Sequence, residues 1–413
     1  MAKLRIGDLK EPANPYFLAQ ILTGLALSIP HAILTPILFS KGLTLSQILT
    51  MQAIYSLAVL SFELPSGALA DMISRRYIYL SSRLLLVLYF LLVVHGSGFL
   101  VLSIAWGLYG VASALDSGTL DAALVNNAKA QASDGKQDLE KRLSWLVRRE
   151  KQSNFLGMMI GSSVGAFSYL QIGVNIYYIS VLSALVAVFS IIVFFKIPEQ
   201  YNTQGKASGG LISQLKEHVG ETLSELKESP QLKNYLSLAV LIQAFMQLHF
   251  QLWQATALEK GVQEKYLLFL YLVFIAMSLM ASMIPVEFLF VHRALFWSLA
   301  AIFFACSGLV IVLPNLWYLL AYCTLVFVLT LVGNYCVVGI RKSASVARIG
   351  AVTSLVSLSS RVGAIVVLLV SAIPIRVYSP SQVVGTGFTV LLILSLLWLW
   401  VRRGVRSLAT SQK

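Results

Sequence analysis

Glu63 to Arg76 reads E-L-P-S-G-A-L-A-D-M-I-S-R-R, and its last ten residues, Gly67 to Arg76, hold an acid and two arginines between two apolar runs. The flanking runs, 45–69 and 77–95, are about 20 residues or longer, enough at 1.5 Å per residue to cross a hydrocarbon layer of about 30 Å. The charged gap therefore reads as a turn where the chain leaves an apolar solvent and re-enters it. Composition agrees: 57% of residues are hydrophobic, only 12% are charged and the mean hydropathy is +0.78, values that exclude a soluble multidomain protein and point to an integral membrane protein. The formal charge of +13 suggests a polyanionic partner in a soluble chain. Here most basic residues lie in gaps between apolar runs and no recognition motif accompanies them, so nucleic acid is not expected as a partner. Met1 to Asn14 is polar, and the run from Tyr16 is too long for a signal-peptide core, so it reads as the first span. Cys306, Cys323 and Cys336 have neither metal-ligand spacing nor the even count of a disulfide framework, and read as packing residues.

Counting such runs predicts twelve helices, at 16–39, 45–69, 77–95, 99–125, 150–171, 173–195, 234–258, 265–290, 294–313, 315–340, 348–373 and 383–402. The one long polar segment, 196–233, carries an A-S-G-G stretch and an amphipathic one, L-I-S-Q-L-K-E-H-V-G-E-T-L-S-E-L-K. It divides the chain into an N-terminal six-helix half, 1–195, a cytoplasmic linker, 196–233, and a C-terminal six-helix half, 234–413. With both termini cytoplasmic, 25 of the 31 lysines and arginines fall on the inside and 4 on the outside, and Arg83 and Arg361 fall within spans. The expected fold class is an all-α membrane protein of twelve transmembrane helices in two halves, the layout of a secondary transporter built from parallel repeats. A trace of that repeat is I-P-V-E-F-L-F-V-H-R at the end of helix 8, where Glu287 and Arg293 echo Asp71 and Arg75.

The quoted stretch also resembles the motif G-x-L-a-D-r-x-G-r-[RK] that the major facilitator superfamily carries between helices 2 and 3: Gly67, Leu69, Asp71, Arg75 and Arg76 match it. The preceding E-L-P-S-G is similar to a sequence found there in drug-efflux-like members. Ser74 stands where the family usually has glycine. The resemblance implies a gate in which Asp71 faces the N-terminal end of helix 11, near Ala347 to Gly350, and Asp121 pairs with Arg75. A carboxylate there gains about 0.3–1 kcal/mol from the helix dipole when exposed, and up to about 2 when partly buried. Without the resemblance, Arg75 and Arg76 are also explained by the excess of positive charge on inside loops. Gly157, Gly161 and Gly165 fall on one face of helix 5. They resemble the glycine-rich motif of drug/proton antiporters without its proline, and equally suit plain helix packing.

Ionisable groups inside a bilayer cost about 2.5–3.5 kcal/mol each on insertion scales, so each needs a partner or a task. Glu63 lies about 12 Å deeper than Asp71, and Arg83 about 10 Å beyond Arg76 on the next helix. Their depths match, which predicts a Glu63–Arg83 contact, either a static ion pair or part of proton coupling. Asp116 is the better coupling candidate, because helix 4 lines the central cavity in the family that the chain resembles. Its alternative is a residue satisfied by serines or by Arg361. Gln243, Gln247, Gln251 and Gln254 fall within about 80° of one another on helix 7, a polar stripe suited to a substrate wall or to inter-helix hydrogen bonds. His249 points away from it and reads, with His31, as packing. No enzyme signature, P-loop or metal cluster is found, and no cofactor is expected.

These readings together describe a monomeric, proton-coupled exporter of a small amphipathic or hydrophobic compound. Its partners would be that substrate, protons and the lipid bilayer, and its place the bacterial cytoplasmic membrane. The alternatives are a proton-coupled importer of a sugar or peptide, and a non-transporting sensor or lipid-handling membrane protein.

Overall fold

Helices are the regular elements throughout the described residues of the computed structural model, 7–116, 119–131, 136–195, 229–286, 293–344 and 349–411. The first expected run is two helices, α1 (Gly7–Ser28) and α2 (Leu34–Ser40). Pro30, which has no N–H and whose ring clashes with the carbonyl four residues back, sits at the break, and Ile33 N–H closes the turn on Pro30 O at 2.9 Å. α3 (Leu45–Met72) and α4 (Arg75–His95) flank the quoted gap. The fourth expected run is also two helices, α5 (Gly98–Asp116) and α6 (Leu120–Gln131).

α7 (Lys136–Ile172) begins well before the expected residue 150. Its first turns, K-Q-D-L-E-K-R-L, are good helix formers but too polar for a hydropathy window to detect. α8 (Tyr177–Phe194) completes the first set. The second comprises α9 (Pro230–Glu259), α10 (Leu267–Met283), α11 (Arg293–Val312), α12 (Tyr318–Ser343), α13 (Ile349–Ser371) and α14 (Pro380–Ser411). α9 starts as a helix should: Ser229 caps it by accepting from Leu232 N–H at 3.3 Å, and Pro230 occupies the first turn, where a missing N–H costs nothing. Among the described residues, 10 stretches are long and apolar enough to cross a membrane, and one of them, Arg142–Phe194, runs through both α7 and α8. This is a multi-pass membrane protein. Exposed side chains such as Leu100, Phe167, Val312 and Trp400 suit hydrocarbon rather than water.

The chain divides into two compact units, Met1–Leu43 with Ile54–Leu211, and Thr44–Ala53 with Ile212–Lys413. The start of α3 thus groups with the second unit, where Ser46 Oγ donates to Ala372 O at 2.7 Å and receives Arg376 Nε at 3.1 Å. In the first unit Tyr16, Phe17, Tyr79, Leu124, Leu146 and Ile191 form a core drawn from α1, α4, α6, α7 and α8. The second unit's core includes Leu248, Trp253, Phe274, Tyr322, Leu325 and Phe388.

One packing scheme occurs twice. In the first unit α1 packs on α7 and α8, and α4 on α5 and α8; in the second α9 packs on α13 and α14, and α11 on α12 and α14. The repeat extends to single atoms. α2 ends on Lys41-Gly42-Leu43, with Gly42 at φ 81° and Leu43 N–H on Leu38 O at 3.1 Å; α9 ends on Lys260-Gly261-Val262, with Gly261 at φ 85° and Val262 N–H on Ala257 O at 3.0 Å. Both are left-handed glycine caps. Lys41 Nζ donates to Val94 O (2.5 Å) and Gly96 O (3.0 Å) at the end of α4. Lys260 Nζ donates to Ile311 O and Leu313 O, both at 2.9 Å, at the end of α11.

Candidate functional site

The apolar period of α4 turns one face inward, and Arg75, Ile78, Tyr79, Ser82, Arg83, Leu86 and Phe90 all lie buried on it. Arg83 is therefore carried into the interior by the spacing of its apolar neighbours, and only 1% of its side chain is exposed. Its Nη2 donates to Oδ1 of Asp116, the last residue of α5, whose side chain stays 32% exposed. The guanidinium also lies 4.4 Å from the centroid of the Tyr79 ring, one helical turn away. A carboxylate at a helix C-terminus meets the negative end of the helix dipole, so Arg83 supplies what the backbone withholds. The ion pair of Arg83 is thus with Asp116 and not with Glu63, which lies half-buried on α3. Matching depth points to Glu63 alone, with serines or Arg361 as the partners expected for Asp116; the lateral packing of α4 on α5 brings Asp116 to Arg83 instead.

A second polar group lies nearby. Gln20 Nε2 on α1 donates to Tyr16 OH at 2.9 Å, and the charged neighbours of that phenol are Glu150 on α7, Asp121 on α6 and Asp116. Three acids from three helices converge around one side chain of α1. Tyr16, Gln20, Tyr79 and Glu150 were not singled out from the sequence. Tyr16 and Gln20, four apart within an apolar run, carried a usable signal, whereas Glu150 was hidden among Arg148, Arg149 and Lys151.

In the quoted stretch, Ser74 adopts φ −52° and ψ 126°, a conformation open to any L residue, so the absence of glycine costs the turn nothing. Arg76 Nη2 donates to Ile192 O at 2.6 Å and Ile191 O at 3.3 Å, capping the end of α8. Arg75 is buried, with Asp121 as an electrostatic neighbour, and its Nε and Nη1 have no hydrogen-bond partner among the described residues. The burial of Gly67 and the side chain of Asp71 lie outside what is described, as do residues 345–348, where the counterpart of Asp71 was expected. Glu287 of the expected echo falls outside as well, and so does most of the linker, 196–228.

Gly157, Gly161 and Gly165 abut α1. A Cβ on each would run into Ile21 O, Leu25 O and Ile29 O in turn, so only glycine permits this approach. On α9 the glutamines grade from exposed Gln243, through half-buried Gln247 and Gln251, to buried Gln254. His249, on another side of α9, is buried with its Nδ1 3.3 Å from Tyr322 OH and its ring edge-on to Phe274. A ladder of tyrosines, Tyr55, Tyr109, Tyr89 and Tyr177, also went unforeseen; Tyr89 and Tyr109 stack at 4.9 Å.

Residues 16–368 match the sequence profile described as Major Facilitator Superfamily. The chain belongs to the Major Facilitator Superfamily. No curated protein sequence matches this superfamily member significantly. Its fold is similar to those of solved transporters. The nucleoside transporter NupG aligns with a TM-score of 0.68 at 12% identity, covering 96% of this chain and 98% of the other. A POT family transporter in complex with a thioalcohol-conjugated peptide aligns with a TM-score of 0.68 at 13% identity, over 97% and 99%. A structure reported for substrate recognition in proton dependent oligopeptide transporters gives 0.64 at 13%, over 98% and 100%. At such identities the likeness establishes the Major Facilitator fold alone. This protein is accordingly a membrane transporter by family, not an enzyme. Of the residues singled out from its sequence, the structure brings Arg83 and Asp116 into contact and places Arg75 near Asp121. Among the described residues it gives no ion pair between Arg83 and Glu63.

Proposed function

We propose that this chain is a proton-coupled secondary transporter that exports a small amphipathic or hydrophobic compound by alternating access. The observation that carries the reading is the Asp116–Arg83 pair inside a membrane-spanning bundle. Protonating Asp116 removes its charge and releases Arg83, which still has the Tyr79 ring as a neutral partner. The pair therefore offers two arrangements that a proton can bias, as coupling requires. Glu63 is the second acid of the coupling set. Twelve spans with both termini cytoplasmic, in halves 1–195 and 234–413 joined by 196–233, complete the reading. Gly67, Asp71, Arg75, Arg76 and Asp121 form the inner latch, and Gln243, Gln247, Gln251 and Gln254 the substrate wall. The glycines of α7, similar to a motif of drug/proton antiporters, favour export. A monomer in a bacterial cytoplasmic membrane would draw about 2.3 kcal/mol per charge from each 100 mV of potential.

The test is proton flux in liposomes over a panel of lipophilic compounds, comparing the native chain with Asp116→Asn and Glu63→Gln. Proton entry linked to substrate exit, lost in Asp116→Asn, is expected. Unchanged flux in both variants would sink the coupling assignment. Uptake of a labelled sugar or peptide driven by an inward proton gradient would instead establish the importer, which would share the fold. Absence of substrate-dependent flux would favour a sensor or lipid-handling protein.

A further inference from the structure

α7 has two unlike faces. Gly157, Gly161 and Gly165 bury one against α1. At 100° per residue, Arg148, Lys151, Gln152, Phe155 and Met159 fall in a sector about 100° wide centred opposite Gly157. They border a shallow trough of about 870 Å³ that, among the described residues, α7 alone lines. Phe155 and Met159 are each 63% exposed, and Arg148, Arg149 and Lys151 are exposed beside them. The one acid of that cluster, Glu150, turns instead towards Tyr16 and Asp121. Neither Arg148 nor Lys151 makes an ion pair among the described residues.

We propose that this face of α7 binds an anionic phospholipid, its phosphodiester held by Arg148 and Lys151 with Gln152 as a further donor, and an acyl chain lying over Phe155 and Met159. Two cations, Arg148 and Lys151, with no acid among the described residues lining this face, fit a monoanionic headgroup better than a zwitterionic one. The dimensions fit too. Phe155 and Met159 lie about 10 and 16 Å beyond Arg148 along the helix, so with a headgroup at Arg148 the two side chains accompany an acyl chain over about the depth of one leaflet, roughly 15 Å. The inference depends on membership of a multi-pass membrane family and not on the proposed substrate or coupling.

Native mass spectrometry of the full chain in detergent, titrated with dioleoyl-phosphatidylglycerol, dioleoyl-phosphatidylcholine or glycerol phosphate, provides the test. Phosphatidylglycerol should be retained preferentially, and glycerol phosphate, lacking acyl chains, should not displace it. Arg148→Gln with Lys151→Gln should weaken retention roughly fivefold per cation removed, while Lys265→Gln, in the short turn Glu264–Tyr266 that precedes α10, leaves it unchanged. Equal retention by the double variant, or equal loss in Lys265→Gln, would overturn the site. As a check that leaves the charges intact, Phe155→benzoylphenylalanine should photo-crosslink to phosphatidylglycerol in liposomes. A cross-link to residues 196–228 or to a second copy would show that protein covers the face and would also overturn it.

Discussion

Asp116 stands where two influences oppose: the end of α5 repels its charge and the buried guanidinium of Arg83 holds it. Removing one member of such a pair strands the other, at a cost of about 3–5 kcal/mol when both are enclosed and less here, since Asp116 keeps 32% of its side chain exposed. Asp116→Asn should therefore lower the thermal unfolding temperature in detergent by several degrees. The double variant Arg83→Met/Asp116→Asn should recover most of that loss, because no charge is then left alone in the interior. A double variant no more stable than the single one would mean that the pair does not carry the effect. At this scale the sequence was half legible. The depth of Arg83 follows from counting residues, but its partner depends on which helix lies beside α4, and counting along the chain says nothing of sideways neighbours. Ser74 shows the reverse: a departure from a family pattern looked like a change of shape, and the backbone there needs no glycine.

The contact of α7 with α1 depends on three missing methyl groups. At Gly165 a Cβ would meet the backbone oxygen of Ile29, which cannot rotate aside. Gly165→Val should force the helices apart and cost about 1–3 kcal/mol. Gly308 on α11 is the contrasting case, with nothing within 4 Å of a Cβ built there. Gly308→Ala should stabilise by roughly 0.5–1 kcal/mol, through better helix propensity and a less mobile unfolded chain. Thermal unfolding of both variants checks the pair of expectations, and similar shifts of the same sign would refute the distinction. The glycine spacing was readable; the identity of the helix it meets was not. The polar start of α7 was missed because hydropathy detects spans rather than helices, and residues from Lys136 onward are helical without being apolar.

At the scale of the molecule, the family and the all-helical fold were legible because one charged turn and a run of spanning segments carry both. The repeat was less so: its Pro-acid-Arg endings are a faint trace, while the clearer echo is Lys41-Gly42-Leu43 against Lys260-Gly261-Val262. Each lysine closes its own unit, so the effects of Lys41→Met and Lys260→Met should be independent. Each should cost about 1 kcal/mol, and the double variant should lose the sum of the two within about 0.5 kcal/mol. Marked non-additivity by chemical unfolding would mean that the two clamps report on one shared transition.

The duplicated clamp also bears on how the chain is made. The carbonyls that Lys41 grips, those of Val94 and Gly96, are synthesised long before α9 begins, so the first clamp can shut while the ribosome is still translating. Lys260 waits for only about 50 further residues before Ile311 and Leu313 arrive. Insertion into the membrane can thus proceed in two instalments, each locked before the next must be held.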